Sequence, residues 1–136
     1  MRLRITDPTA ILLDTEIASV RAEDASGGFG VLPGHADFLT VLLPSLVSWR
    51  TPAGAAGYCA VDGGVMTVTG GREVAIAARE AHLGDDVTTL EADVRERIRE
   101  RDERDRIERT AATRLRLQAI RAMVAVLERD GVEIGL

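Results

Sequence analysis

Two histidines, one cysteine, a few adjacent carboxylates and one glycine-dense segment are the parts of this sequence that could do chemistry. His35 and His82 are too few for a histidine-rich metal site, and neither has a partner at the helical or hairpin spacing that tetrahedral ligation needs. A structural or surface role is expected of both. Cys59 stands alone, so neither a disulfide nor a cysteine-based metal site can form within the chain, and its alternating apolar context reads as packing of a small hydrophobe. The acidic pairs Glu23-Asp24 and Asp85-Asp86 fall at strand or loop ends, where solvation rather than acid–base work is the ordinary reason for them. Neither a GxSxG elbow nor an HExxH helix is present. The segment GGFGVLPGHADFL, Gly27 to Leu39, is dense enough in glycine to suggest a phosphate cradle, but a Walker-type loop needs a lysine and all seventeen basic residues here are arginine. A dinucleotide fingerprint would need a helix opening on the last glycine, whereas Pro33-Gly34 turns the chain. The segment therefore reads as a shaped surface turn, with no catalytic residue, cofactor or metal expected.

The elements that hold these residues follow from periodicity. From Arg2 to His82 apolar residues alternate with polar ones, as in RLRIT, where Leu3 and Ile5 share one face, and again in EIASVRAED, LVSWR, GYCAVD, VMTVT and EVAIAA. Turn signals separate the runs at Asp7-Pro8, Ser26-Gly27-Gly28, Pro33-Gly34, Pro44-Ser45, Pro52 to Gly57, Asp62-Gly63-Gly64 and Gly70-Gly71. Short strands at such spacing predict an antiparallel β-sandwich over residues 1–86, with VMTVTGGREVAIA as a hairpin whose Gly-Gly supplies positive φ angles. Aromatics are 3% of the 136 residues, so the core must be built from small aliphatic side chains.

Beyond Asp85 the pattern changes. In TTLE, Thr88 and Glu91 can form a capping box, and no Gly or Pro follows until Gly131, where Asp130-Gly131 suits a C-cap. Leu90, Val94 and Ile98 make one apolar stripe; Ile107, Ala111 and Leu115 begin another, continued by Ile120, Val124 and Leu127. Between them lies RERDERDR, in which Glu100–Arg104, Asp102–Arg106 and Asp105–Arg109 are acid-first i, i+4 pairs. Residues 87–136 are expected to fold as a two-helix hairpin breaking near Arg109 to Thr113, although the same stripes suit one long helix. Whether the tail packs on itself or enters a partner's groove stays open on periodicity alone.

The net charge of −5 resides in residues 1–86, with six arginines against eleven acids, while residues 87–136 hold eleven of each. Neither part is a nucleic-acid footprint, and no apolar run is long enough to span a bilayer. The lone cysteine and the short polar N-terminus point to a reducing cytoplasmic compartment, with membrane association only through partners.

With these elements in place, GGFGVLPGHADFLTVL resembles the Gly-x-Phe-Gly-x-Leu-Pro-Gly-His-Ala segment of the epsilon subunit of F-type ATP synthases, called delta in mitochondria. The likeness continues through VDGGVMTVTGGREVAIAAREA and covers nearly the full length. RAEDASGGFG, GHADFL and LVSWR are more similar to the divergent N-ATPase branch. Two departures stand out: Asp37 where the family commonly has Pro, and Leu43-Pro44-Ser45 where it has Lys-Pro-Gly. The ATP-binding motif of some members is also degraded, with Glu91 for its Asp and Val94 where its Arg belongs; Arg95, one place late, is turned by about 100° around the helix. ATP binding is therefore expected to be weak or absent.

The resemblance implies a non-catalytic rotor part at the cytoplasmic face of the bacterial inner membrane, whose sandwich clamps the gamma subunit and rests on the c-subunit ring. Ser26, Gly27, Gly28, Phe29, Leu32, His35 and Phe38 are expected to contribute to the gamma or ring interface. The tail, through Leu90, Val94, Ile98, Ile107, Leu115, Ile120 and Val124, is expected to fold down on the sandwich or rise toward the catalytic alpha/beta hexamer and obstruct ATP hydrolysis. The rival reading is a free-standing sandwich adaptor with a coiled-coil tail that binds an unrelated protein.

Overall fold

The computed structural model describes residues 1–129; the expected C-cap at Asp130-Gly131 lies outside them. Eight strands precede one helix: β1 (Arg2–Thr6), β2 (Ile11–Glu16), β3 (Ser19–Asp24), β4 (Gly27–Val31), β5 (Phe38–Arg50), β6 (Ala56–Thr69), β7 (Glu73–Ala78), β8 (Ala81–Gly84) and α1 (Val87–Arg129). They form an eight-stranded sheet in the order β2-β1-β7-β6-β5-β3-β4, with β8 also paired to β6. Alternation is clean where it was read: Leu3 and Ile5 of β1, Val20 and Ala22 of β3, and Val74, Ile76 and Ala78 of β7 all point into one core. That core includes residues from both ends of the strand order, so the sheet is folded over itself as a sandwich.

The folding-over is done by β5 and β6, of 13 and 14 residues. The first half of β6 pairs with β8 and its second half with β7, while β5 follows it along nearly its whole length. GYCAVD and VMTVT are thus one strand, and the Asp62-Gly63-Gly64 signal is a bend within it rather than a turn. Gly63 and Gly64 take φ of +79° and +152°, and a Cβ on Gly64 would stand 2.4 Å from the Ala77 carbonyl oxygen. Pro44-Ser45 is likewise inside β5. The proline costs no ladder bond there, because the β3–β5 pairing is interrupted between Arg21 and Asp24, opposite it. Ser45 is buried, and its hydroxyl donates to the Leu43 carbonyl at 2.7 Å.

Three further corrections concern the sheet. The antiparallel expectation fails for β1 and β7, which pair in parallel with Leu3 opposite Val74 and Ile5 opposite Ile76. The long connection between them allows this pairing, and both strands thereby bury the same face. Gly27–Val31, read as turn, is an edge strand paired with β3 from Asp24↔Gly27 to Val20↔Val31. Strands β2 and β8 were not singled out in the sequence. The Gly-Gly hairpin is as expected: Gly70 and Gly71 have φ of +62° and +67°, and the Arg72 N–H donates to the Thr69 carbonyl at 3.2 Å.

Through the described residues the tail is one helix, Val87–Arg129, rather than a hairpin. The joint foreseen at Arg109 to Thr113 holds no breaker, and the hydroxyls of Thr110 and Thr113 donate to the Arg106 and Arg109 carbonyls at 2.9 Å each, so both residues fit within the helix. Its start also differs, since with Val87 already helical the cap is Asp86 instead of a Thr88–Glu91 box. Asp86 Oδ1 accepts the Thr88 N–H at 3.0 Å and Oδ2 the Thr89 hydroxyl at 2.8 Å. Arg106 pairs with Glu103 at 2.6 Å rather than with Asp102. Met1–Ile98 forms one compact unit, and the described residues from Arg99 onward belong to a second.

Candidate functional site

The residues expected at an interface are held by the β3–β4 turn, β4 and the loop before β5. Ser26 sits in the turn, its N–H and hydroxyl both donating to Asp24 Oδ1 at 2.9 and 2.5 Å, while Asp24 Oδ2 accepts the Thr40 hydroxyl at 2.7 Å. These donors, the Ser26 hydroxyl foremost, hold the Asp24 carboxyl below its ordinary pKa. Gly27 and Gly28 open β4. Phe29 packs half-buried against the core and meets the Phe38 ring edge-on, with centroids 5.7 Å apart at 76°. His35 lies 5.8 Å from Phe38, and its Nδ1–H donates to the Ala36 carbonyl at 2.7 Å. Phe29, His35 and Phe38 thus form one aromatic cluster, while Leu32 is exposed.

The loop between β4 and β5 is pinned to the β6–β7 hairpin. The Gly34 N–H donates to the Gly71 carbonyl at 2.8 Å, and Asp37 Oδ1 accepts the Gly70 N–H at 2.8 Å. A Cβ on Gly71 would lie 2.8 Å from the Gly34 Cα. The close backbone approach that the glycines permit is therefore made here by the chain to itself.

A second surface lies outside the residues expected at an interface. Leu39, Val41 and Leu43 of β5 and Val65 of β6 are 67%, 64%, 42% and 40% exposed. Register places Val41 beside Val65, Val65 beside Ala77, Leu39 beside Thr67 and Thr67 beside Ala75, so these residues form one outward apolar face across β5, β6 and β7. Its flank on β1 carries Arg2 and Arg4, which donate to Asp14 at 2.5 and 3.4 Å and, Arg2 foremost, hold that carboxyl below its ordinary pKa. The signal was present: FLTVLL does not alternate, and a strand that is apolar on both sides is one whose two sides both need covering.

Of the tail residues, Leu90 is buried, Val94 half-buried and Ile98 40% exposed. Further along, Ile107, Leu115 and Ile120 are exposed and Val124 is half-buried. Cys59 is fully buried, which pushes its thiol up to about 11 and leaves it a packing group. Among the described residues no cluster of His, Cys, Asp and Glu is placed to hold a metal, and no helix is long and apolar enough to cross a membrane.

Residues 1–84 match the family described as ATP synthase, Delta/Epsilon chain, beta-sandwich domain. The chain is 45% identical to an ATP synthase epsilon chain 2 of Cereibacter sphaeroides, over 95% of this chain and 89% of that one. It is 42% identical to an epsilon chain 2 of Paraburkholderia xenovorans over 93% and 92%, and 30% identical to an epsilon chain of an Anaeromyxobacter species over 92% and 97%. Among solved structures it is similar to a chain of the Euglena gracilis mitochondrial ATP synthase OSCP/F1/c-ring assembly, with TM-score 0.58 and 25% identity over 69% of this chain and 61% of that one. A chain of the Tetrahymena thermophila central stalk/c-ring assembly shares the fold at TM-score 0.54 and 14% identity, over 70% of this chain and 87% of that one.

Proposed function

The chain belongs to the delta/epsilon family of ATP synthase subunits, and from that premise we propose that it is a central-stalk part of the rotor, working by fit against its neighbours while catalysis lies in other subunits. The observation that carries this reading is the outward apolar face of β5, β6 and β7. A permanent partner must cover such a face, and the gamma subunit is its proposed occupant. The tip formed by Ser26 to Phe38, with Leu32 exposed and the Phe29–Phe38 pair behind it, stiffened by its bonds to the β6–β7 hairpin, is the proposed contact with the c-ring. Residues 1–86 would thus pass torque from ring to shaft. The tail, residues 87–136, would regulate hydrolysis by shifting between a sheet-held form and one reaching the alpha/beta hexamer. The complex would place the chain peripherally on the cytoplasmic face of the bacterial inner membrane. Assignment to the N-ATPase branch is part of the proposal and rests on the resemblance of RAEDASGGFG, GHADFL and LVSWR. The free-standing adaptor is not favoured, since the relatives are epsilon chains over nearly their whole length.

The test is co-purification with gamma. Val41→Asp puts a charge at the centre of the apolar face without touching the core, so it should abolish co-elution while leaving thermal unfolding of the isolated chain within a few degrees of the parent. Retained co-elution would show that gamma does not occupy this face.

A further inference from the structure

Where β7 gives way to β8, the compact unit Met1–Ile98 contains a charged cluster that the rotor reading does not use. Arg97 grips Glu80 with both ends of its guanidinium: Nη1 donates to Oε2, and Nη2 donates to Oε1 at 2.7 Å. His82 Nε2 stands 3.0 Å from Glu80 Oε1 and 3.1 Å from Arg97 Nη2, and Asp93 approaches the Arg97 Nε at 3.7 Å. Glu80 is mounted on fixed backbone, since its carbonyl accepts the Asp62 N–H at 2.8 Å. The Arg97 side chain is 25% exposed, against 70% for Arg106 on the distal helix.

The position of this cluster along α1 suggests its role. Leu90, at 6% exposure, fits against Gly84, where a Cβ would stand 3.2 Å from its side chain. Arg97 follows seven residues later, two turns on and on the same face, with half-buried Asp93 and Val94 between. The docked stripe is thus apolar at one end and a charge-assisted fork at the other. Immediately beyond it Ile98 is 40% exposed, and every residue from Arg99 to Met123 is exposed.

We propose that Glu80, His82 and Arg97 form a latch fastening the first three turns of α1 to the sheet in the sheet-held form, with Arg97 the last side chain held. A bidentate pair bridging two elements resists shear in a way that a single ammonium contact does not. The latch complements Leu90, which supplies burial but no direction. His82 acts on the carboxylate and so is a positioning residue. The inference concerns how the chain holds its own helix and is independent of which partner the tail meets.

Amide hydrogen exchange of the full chain, read by mass spectrometry, tests it. Arg97→Ala and Glu80→Gln should each speed exchange at residues 91–98 by about fivefold, leaving the strands β1 and β7 and the helix beyond residue 109 as in the parent. The charge exchange Glu80→Arg with Arg97→Glu should restore most of the protection. Unchanged exchange at 91–98 in both single variants would overturn the latch. Acceleration spread equally over the sheet would overturn it too, because the pair would then support the fold rather than the helix.

Discussion

The tightest point in the candidate site is the crossing of Gly34 and Gly71, and Gly71→Ala measures what that crossing is worth. At φ +67° an L-residue meets its own carbonyl, costing about 1 kcal/mol, and the added methyl would stand 2.8, 3.0 and 3.1 Å from the Gly34 Cα, N and C atoms. Backbone cannot swing aside as a side chain tip can. The loop must retreat, weakening the Gly34 N–H to Gly71 carbonyl bond and the Gly70 N–H to Asp37 bond, which adds about 1–2 kcal/mol. Gly70→Ala is the internal control, having φ +62° but no heavy atom within 4 Å of the added methyl, so it should cost about 1 kcal/mol. Any reduction of unfolded-state freedom is common to both substitutions. Thermal unfolding followed by fluorescence of Trp49, the chain's sole tryptophan and a core residue of β5, should therefore fall by about 6 °C for Gly70→Ala and about 15 °C for Gly71→Ala. Equal losses would refute the reasoning, because they would mean that the strain is conformational and that the crossing carries no load.

Two further outcomes follow from the cap and the tail. The Thr89 hydroxyl foremost, then the Thr89 and Thr88 amides, hold the Asp86 carboxyl below its ordinary pKa. Its contribution is therefore full above the unfolded-state value and lost as pH falls through the folded one. Protection factors at Thr88 to Glu91, measured by NMR, should drop below pH about 4, and Asp86→Asn, which caps without a titrating proton, should flatten that drop; an unchanged acid limb would remove Asp86 as its source. Removal of residues 87–136 should raise ATP hydrolysis by the assembled enzyme if the tail is the regulator, and an unchanged rate would reduce it to a prop.

What was legible in the sequence was whatever is local. Alternation in RLRIT and EVAIAA placed Leu3, Ile5, Val74 and Ile76 in the core because a half-buried strand imposes that period on its own residues. The Gly70-Gly71 hairpin was legible because a primed turn demands two positive φ values. The long strands were not, because Asp62-Gly63-Gly64 and Pro44-Ser45 look the same whether the chain reverses or bends. The difference lies in a ladder that continues on the partner strand, as Leu42↔Gly64 and Pro44↔Asp62 do. The expected helical joint fails for the opposite reason: a gap in apolar residues removes a packing face but no hydrogen bond, so it interrupts burial without ending a helix. For the candidate site, the loop residues were named, but the contact of Gly34 is with a residue on another hairpin, which no local window contains.

Asp37 stands at the entry to β5. A residue without a side-chain acceptor at that position would leave the Gly70 N–H needing another partner; here the carboxylate takes it at 2.8 Å. The very next residue, Phe38, begins β5 opposite Val68, and from there Leu39, Val41 and Leu43 face outward while Leu42 faces the core. A slip of one residue at this point would exchange the two sets of side chains, burying the partner face and exposing the core one. Asp37 and the Gly34–Gly71 crossing tie the entry of β5 to the tip of the neighbouring hairpin, just ahead of the ladder that begins at Phe38↔Val68. A one-residue slip would break the Asp37 bond as well as expose the core set, so this carboxylate adds to the ladder's hold on the apolar face proposed to meet gamma.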